Sequence, residues 1–227
     1  MNAHAQEVLA TLKTLGKPQT AEIYKRQGAG ADVCGVLTSE IAKIKKKIKV
    51  DHSLAMELWK SGNAEARILS LLISEPTKIS RADADKLVKE GQVRFLHCYL
   101  SDLLARIPDA NTTQRAWMKS KDEFTRAIGY GILGARLRDD PESVSDADAE
   151  KVLATIEKEI HSSPNWARYA MNGAVISIGV FKSTLRKQAK ETAKRIGKVE
   201  VDHGENYCKT PDAVSYIEKA SKRKRFR

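Results

Sequence analysis

The stretch GVLTSEIAKIKKKIKVDHSLAMELWKSGNAEARILSLLI, residues 35–73, decides the fold class. Its apolar residues return every three or four positions rather than every second one, the period of an amphipathic helix and not of a strand. In the run KIKKKIK at 43–49, Lys43, Lys46 and Lys47 turn to one side of a helix, with Ile41, Ile44 and Ile48 toward the other. Gly62 separates a segment carrying Leu58-Trp59 from one that starts at 63. Helices over 39–49, 51–61 and 63–74 follow, and Trp59 belongs to an apolar face that packs inward.

Moving outward, the same period covers 2–14, 18–27, 80–90, 92–106, 110–119, 122–138, 145–160, 164–179, 183–196 and 212–222. Breakers fall between these segments, among them Gly16, Gly28, Gly30, Glu75-Pro76, Gly91, Pro108, Pro141, Pro164 and Gly197. Ser80 opens SRAD and Ser145 opens SDAD, each offering a side-chain oxygen to free backbone N–H groups, with an acid three residues on beside the positive helix end. Helices this short, with links this short, must pack on their neighbours in sequence, as a bundle or as stacked hairpins. The loose recurrence of helix, break, helix at about 40 residues per pair suits repeats of the HEAT type. The expected architecture is all-α, a superhelical stack of antiparallel helix pairs in one domain over 1–221. A basic tail follows at 222–227, where five of the last six residues are Lys or Arg.

Composition narrows the partner. The 227 residues carry 40 Lys+Arg against 29 Asp+Glu, a formal charge of +11, and 41% are hydrophobic. Such a chain folds and attracts polyanions, so nucleic acid is the first partner to consider. No run approaches the roughly 18 apolar residues of a membrane span, and the amphipathic start lacks a signal-peptide pattern. Cys34, Cys98 and Cys208 are odd in number and far apart, which excludes a disulfide framework and a paired CxxC zinc site and points to the reducing cytoplasm. His52, His97, His161 and His203 lack metal-ligand spacing, and no P-loop, GxGxxG, HExxH or GxSxG occurs. His97 and Cys98 are adjacent in a helix, hence about 100° apart, and do not form a dyad.

Four stretches resemble one family, the AlkD-like DNA alkylation repair proteins built from HEAT-like repeats. Residues 35–73 resemble its entry segment, with a Gly-Val turn, Leu58-Trp59 and Glu65-x-Arg67 in the expected places. RAWMKSKDEFTRAIGYGIL at 115–133 is similar to its Trp-x-x-Ser-x-Asp/Glu hinge before a helix bearing an arginine, here Arg126. HSSPNWARYAMNGAVISIG at 161–179 resembles the matching segment of the next repeat, and VDHGENYCKTPDAVSYI at 201–217 a tail of one branch.

The resemblance implies a glycosylase that hydrolyses the N-glycosidic bond of cationic alkylated purines without metal or cofactor. The needed parts are a carboxylate for the developing oxocarbenium charge and aromatic faces for the cationic base. On VRFLHCYLSDLLARIP, residues 93–108, Asp102 takes the carboxylate position, while Cys98 stands where active relatives place a Trp. Tyr99 is the adjacent aromatic, and a second, inward-facing Trp of the family aligns near Gly173.

Trp117 and Trp166 stand at helix junctions beside Arg115 and Arg168, either packed or facing a strand of DNA. Arg126 and Arg136 lie ten residues apart, hence about 80° apart around one helix. With Arg67, Arg168, Lys182 and Arg186 they are the candidates for phosphate contacts, salt-sensitive and not base-specific. The expected partner is double-stranded DNA, engaged by a monomer. Two alternatives remain open: a non-catalytic HEAT-like module holding damaged or structured DNA or a protein partner, and a purely protein-binding scaffold.

Overall fold

A computed structural model describes residues 1–205 and 208–222, and every regular element among them is helical. All but the first residue of the expected basic tail lies outside the described residues. Among the described residues, thirteen α-helices fall into two compact units, one built on Met1–Asp109 and the other on Ala110–His203 with 208–222.

The first unit contains α1 (Ala3–Leu15), α2 (Pro18–Arg26), α3 (Thr38–Ile48), α4 (His52–Lys60), α5 (Ala64–Ile73), α6 (Arg81–Glu90) and α7 (His97–Leu104). Its hub is α5, which packs on α1, α3, α4 and α7. The sequence prepares α5 for that place: AEARILSLLI is apolar on most of its faces, burying Ala64, Ala66, Ile68, Leu69, Leu71 and Ile73. The expected cap at Ser80 forms, and Asp51 and Asn63 add two caps not read from the sequence. Asp51 Oδ1 accepts from Leu54 N–H at 2.9 Å, Asn63 Oδ1 from Ala66 N–H at 3.0 Å, and Ser80 and Asp83 close a reciprocal box at the start of α6.

One charged side chain is fully inside this unit. Glu65, at 0% exposure, accepts from the backbone N–H groups of Cys34 (2.9 Å), Gly35 (2.6 Å) and Val36 (3.0 Å). Its carboxylate thereby fixes the chain that leads into α3. Gly35 has φ +82°, and a Cβ there would stand 2.2 Å from the Lys17 carbonyl oxygen, so the turn requires glycine twice over.

The second unit contains α8 (Ala110–Trp117), α9 (Glu123–Asp139), α10 (Asp146–Glu159), α11 (Asn165–Phe181), α12 (Arg186–Ile196) and α13 (Ala213–Ser221). The two long helices α9 and α11 lie against each other; α8 covers α9, α12 and α13 cover α11, and α10 packs on α11 and α12. Leu133, Leu137, Leu153, Ile156, Met171, Val175, Ile178 and Ile217 are in the shared core. Ser145 Oγ accepts from Asp148 N–H at 3.1 Å and so starts α10 as its sequence predicted. Helices α8 and α9 approach closely: a Cβ on Gly129 would meet the Met118 nitrogen at 2.6 Å.

Replacing Glu65 by Ala strands three backbone N–H groups, two of them in fully buried bonds. Each unsatisfied buried donor costs about 1–3 kcal/mol, so Glu65→Ala is expected to lower unfolding stability by about 3 kcal/mol or more in urea titration. A loss under about 1 kcal/mol would contradict this role for the carboxylate.

Candidate nucleic-acid interface

In the first unit, the expected carboxylate lies on α7. Asp102 is half-buried, one turn after Cys98 on the same helix face, and its backbone oxygen accepts from Arg106 Nε at 3.1 Å. The Cys98 thiol is pushed up by burial of its inner side and then by the Asp102 carboxylate. Tyr99 is likewise pushed up, by burial first and then by Cys98, Tyr24 and Asp102. Nearby, the rings of Tyr24 and Phe95 stand 4.7 Å apart, and the Tyr24 hydroxyl donates to the Val36 carbonyl at 3.1 Å. The aromatic that interacts with the carboxylate is thus Tyr99 on the same helix, while the position one turn before Asp102 holds a thiol.

Arg67 projects from α5 over the Trp59 ring, 4.9 Å from its centroid. It donates from Nε to the Trp59 carbonyl (3.3 Å) and from Nη1 to the Glu90 carbonyl (3.2 Å), while Trp59 Nε1 donates to Glu90 Oε2 at 2.7 Å. Trp59 is 4% exposed, as its apolar face implied. The guanidinium bonds neutral carbonyls, so it is oriented here without losing its charge.

In the second unit, Arg126 on α9 pairs through Nη2 with Glu159 Oε2 at 2.5 Å and is 17% exposed. Arg136, further along α9, donates from Nη1 to Asn111 Oδ1 (3.0 Å) and Gln114 Oε1 (2.6 Å) and from Nη2 to the Ser143 carbonyl (2.6 Å). Arg168 on α11 donates to the carbonyls of Glu200 (2.8 Å) and Ser163 (2.9 Å). Arg186 donates to those of Gly179 (3.0 Å) and Val180 (3.3 Å), closing the C-terminal end of α11. Lys182 is the most enclosed of these cations at 5% exposure. Its ammonium meets Asp146 at 2.8 Å, Glu142 at 3.4 Å and the Pro141 carbonyl at 3.2 Å. The bond to Asp146 raises the Lys182 ammonium and lowers the Asp146 carboxyl.

The two tryptophans differ. Trp117 is buried at 3% exposure at the α8–α9 junction. Trp166 is half-buried at the start of α11, where its backbone N–H donates to Glu123 Oε1 at 2.5 Å. Its ring lies edge-on to Tyr169 (6.3 Å) and His203 (6.1 Å), and His203 in turn bonds the Thr210 hydroxyl at 2.9 Å. Gly173, the second aromatic position implied by the resemblance, is in the middle of α11, and a Cβ there would meet nothing within 4 Å. The space for a side chain is present and unfilled. Sequence reasoning missed the partners Glu159, Glu142 and Asp146, which stand more than thirty residues from their cations and carry no local signal. Among the described residues, no group of three or more His, Cys, Asp or Glu side chains could hold a metal, and no helix is long and apolar enough to cross a membrane.

Two outcomes follow. Because the Asp102 charge raises the Cys98 thiol, Asp102→Asn should increase the thiolate fraction and speed alkylation of Cys98 by iodoacetamide near pH 8, read by mass spectrometry. An unchanged or slower rate would remove the carboxylate from that neighbourhood. Gly173→Ala adds a methyl group to open space inside a helix and should stabilise the chain by about 0.5–1 kcal/mol in thermal melting; destabilisation would show that the position is filled.

A sequence profile of the DNA alkylation repair enzyme family matches residues 8–196. Two full-length relatives are similar to the chain, both described only as uncharacterized: Lin0241 of Listeria innocua, 32% identical over 222 residues, and Lmo0209 of Listeria monocytogenes, 31% identical over 222 residues. In each case 93% of this chain and 95% of the relative are covered. Among solved structures, a protein of a family described as related to the HEAT-like repeat DNA glycosylases, with affinity for branched DNA structures, superposes with a TM-score of 0.89. It is 27% identical, with 97% of this chain and 95% of that one covered. The chain therefore belongs to the DNA alkylation repair enzyme family and has the all-helical fold of the HEAT-like repeat DNA glycosylases.

Proposed function

We propose that this protein binds DNA, as a monomer and without metal or cofactor, and prefers branched or locally opened DNA to a continuous duplex. The observation that carries the reading is the pair of positions at which aromatic side chains are replaced: Cys98 one turn before Asp102, and Gly173 with open space above it. Expulsion of a cationic base calls for aromatic faces that attract it and a carboxylate that stabilises the sugar cation. A lone carboxylate supplies half of that. Binding loses nothing by the change, because it rests on distributed positive charge, here a surplus of +11. The likeness to a solved protein described as having affinity for branched DNA adds to this reading.

Arg67, Arg126, Arg136, Arg168 and Arg186 are the proposed phosphate contacts. Arg67, Arg136 and Arg168 are oriented by hydrogen bonds to neutral acceptors, which supports their charge being available to a phosphate. A second reading, hydrolysis of the N-glycosidic bond of alkylated purines, is favoured by one observation, the retained Asp102 on α7.

Fluorescence anisotropy with a four-way junction and a linear duplex of the same sequence tests the proposal. Junction affinity should exceed duplex affinity by about tenfold, equivalent to about 1.4 kcal/mol, and both should fall steeply as salt is raised. Equal affinities, or binding insensitive to salt, would overturn it.

A further inference from the structure

The second unit holds a cavity of about 390 Å³ whose wall includes Arg136, one of the phosphate contacts proposed above, and whose remaining lining the DNA reading does not use. It is lined by residues of α8, α9 and α10 together with Met118, Lys119 and Val144. The floor is apolar: Leu133, Val144, Val152 and Met118, with the buried ring of Tyr130. The walls are basic, with Arg115, Lys119, Arg136 and Lys151 facing the single carboxylate of Asp148.

These cations are unequally compensated. Arg115 is paired with Asp148 at 2.7 Å. Arg136 is not: its three hydrogen bonds all go to neutral oxygens, and it forms no ion pair among the described residues. Three of its five N–H donors are occupied, which leaves two for a ligand. Burial, and then the charge of Arg115, weaken its hold on its proton, and the carboxylates of Asp140 and Asp148 only partly offset this. Lys119 and Lys151 are exposed at the rim and also have no ion pair among the described residues. Gathering Arg136, Lys119 and Lys151 beside an apolar floor creates a positive potential that an anion would offset. A guanidinium already fixed by Asn111, Gln114 and Ser143 would bind such an anion with little further ordering.

We propose that this cavity binds a small phosphomonoester of mononucleotide size, its phosphate held by Arg136, Lys119 and Lys151 and its organic body on the Leu133–Val152 floor. A phosphomonoester carries nearly two negative charges near neutral pH and so offsets the site better than a monocarboxylate. The volume is within the roughly 300–1,000 Å³ of small-molecule sites.

Isothermal titration of the full chain with adenosine monophosphate, adenosine and inorganic phosphate tests this, beside a Lys119→Glu/Lys151→Glu variant. Both lysines are exposed, so the variant should keep the wild-type melting temperature. The nucleotide should bind one to one, about tenfold or more tighter than either fragment, and the variant should lose about tenfold or more of that affinity. Absence of nucleotide binding, equal binding of inorganic phosphate, or an unaffected folded variant would each overturn the proposal. Should the variant melt early, Val152→Glu, which places a charge on the floor without touching the lysines, serves instead. Its nucleotide affinity should fall by a similar factor, and unchanged affinity in that folded protein would likewise overturn it.

Discussion

Short links are the constraint on which this molecule depends. When a helix of ten residues is followed after three or four by the next, its apolar stripe can be covered only by elements close to it in the chain. In the first unit α5 meets this demand for four others, and its own N-terminal turn then carries a carboxylate inward to hold residues 34–36. In the second unit α9 and α11 share the longest contact, and the shorter helices close over them. Within each unit, neighbouring helices in the chain thus supply much of the packing.

That locality explains what the sequence disclosed. Helix existence, the Gly62 and Gly91 breaks and the Ser80 and Ser145 caps are written within a few residues of where they act, and all are present in the structure. The buried Glu65 was visible only as part of a family pattern; its partners at 34–36 are about thirty residues away. The arginines and Lys182 show the same limit. A basic residue on a helix reads as a phosphate contact whether it faces solvent or an internal acceptor. Only the fold distinguishes Lys182, enclosed by Asp146 and Glu142, from Arg67, which lies over an indole and bonds carbonyls. Trp117 and Trp166 likewise read alike in sequence, yet one is buried and the other half-buried among Tyr169 and His203.

The chemistry turns on two small positions. Gly173 leaves open space in α11, and Cys98 places a thiol, raised by burial and by Asp102, where a flat aromatic face would serve an excision reaction. Neither change disturbs the helix that carries it, so the family fold persists with a thiol and a hydrogen where the resemblance places aromatic faces. What persists beside them is oriented positive charge, with guanidinium groups fixed by backbone carbonyls. These are the groups proposed above as phosphate contacts, a role that depends on position and not on base.

The most direct test of this account is release of methylated purines from methylated duplex DNA by the full chain, with Asp102→Asn alongside and junction binding measured on the same preparation. The account predicts no release by either protein and salt-sensitive junction binding by both. Release by the wild-type chain that Asp102→Asn abolishes, with folding intact, would contradict it.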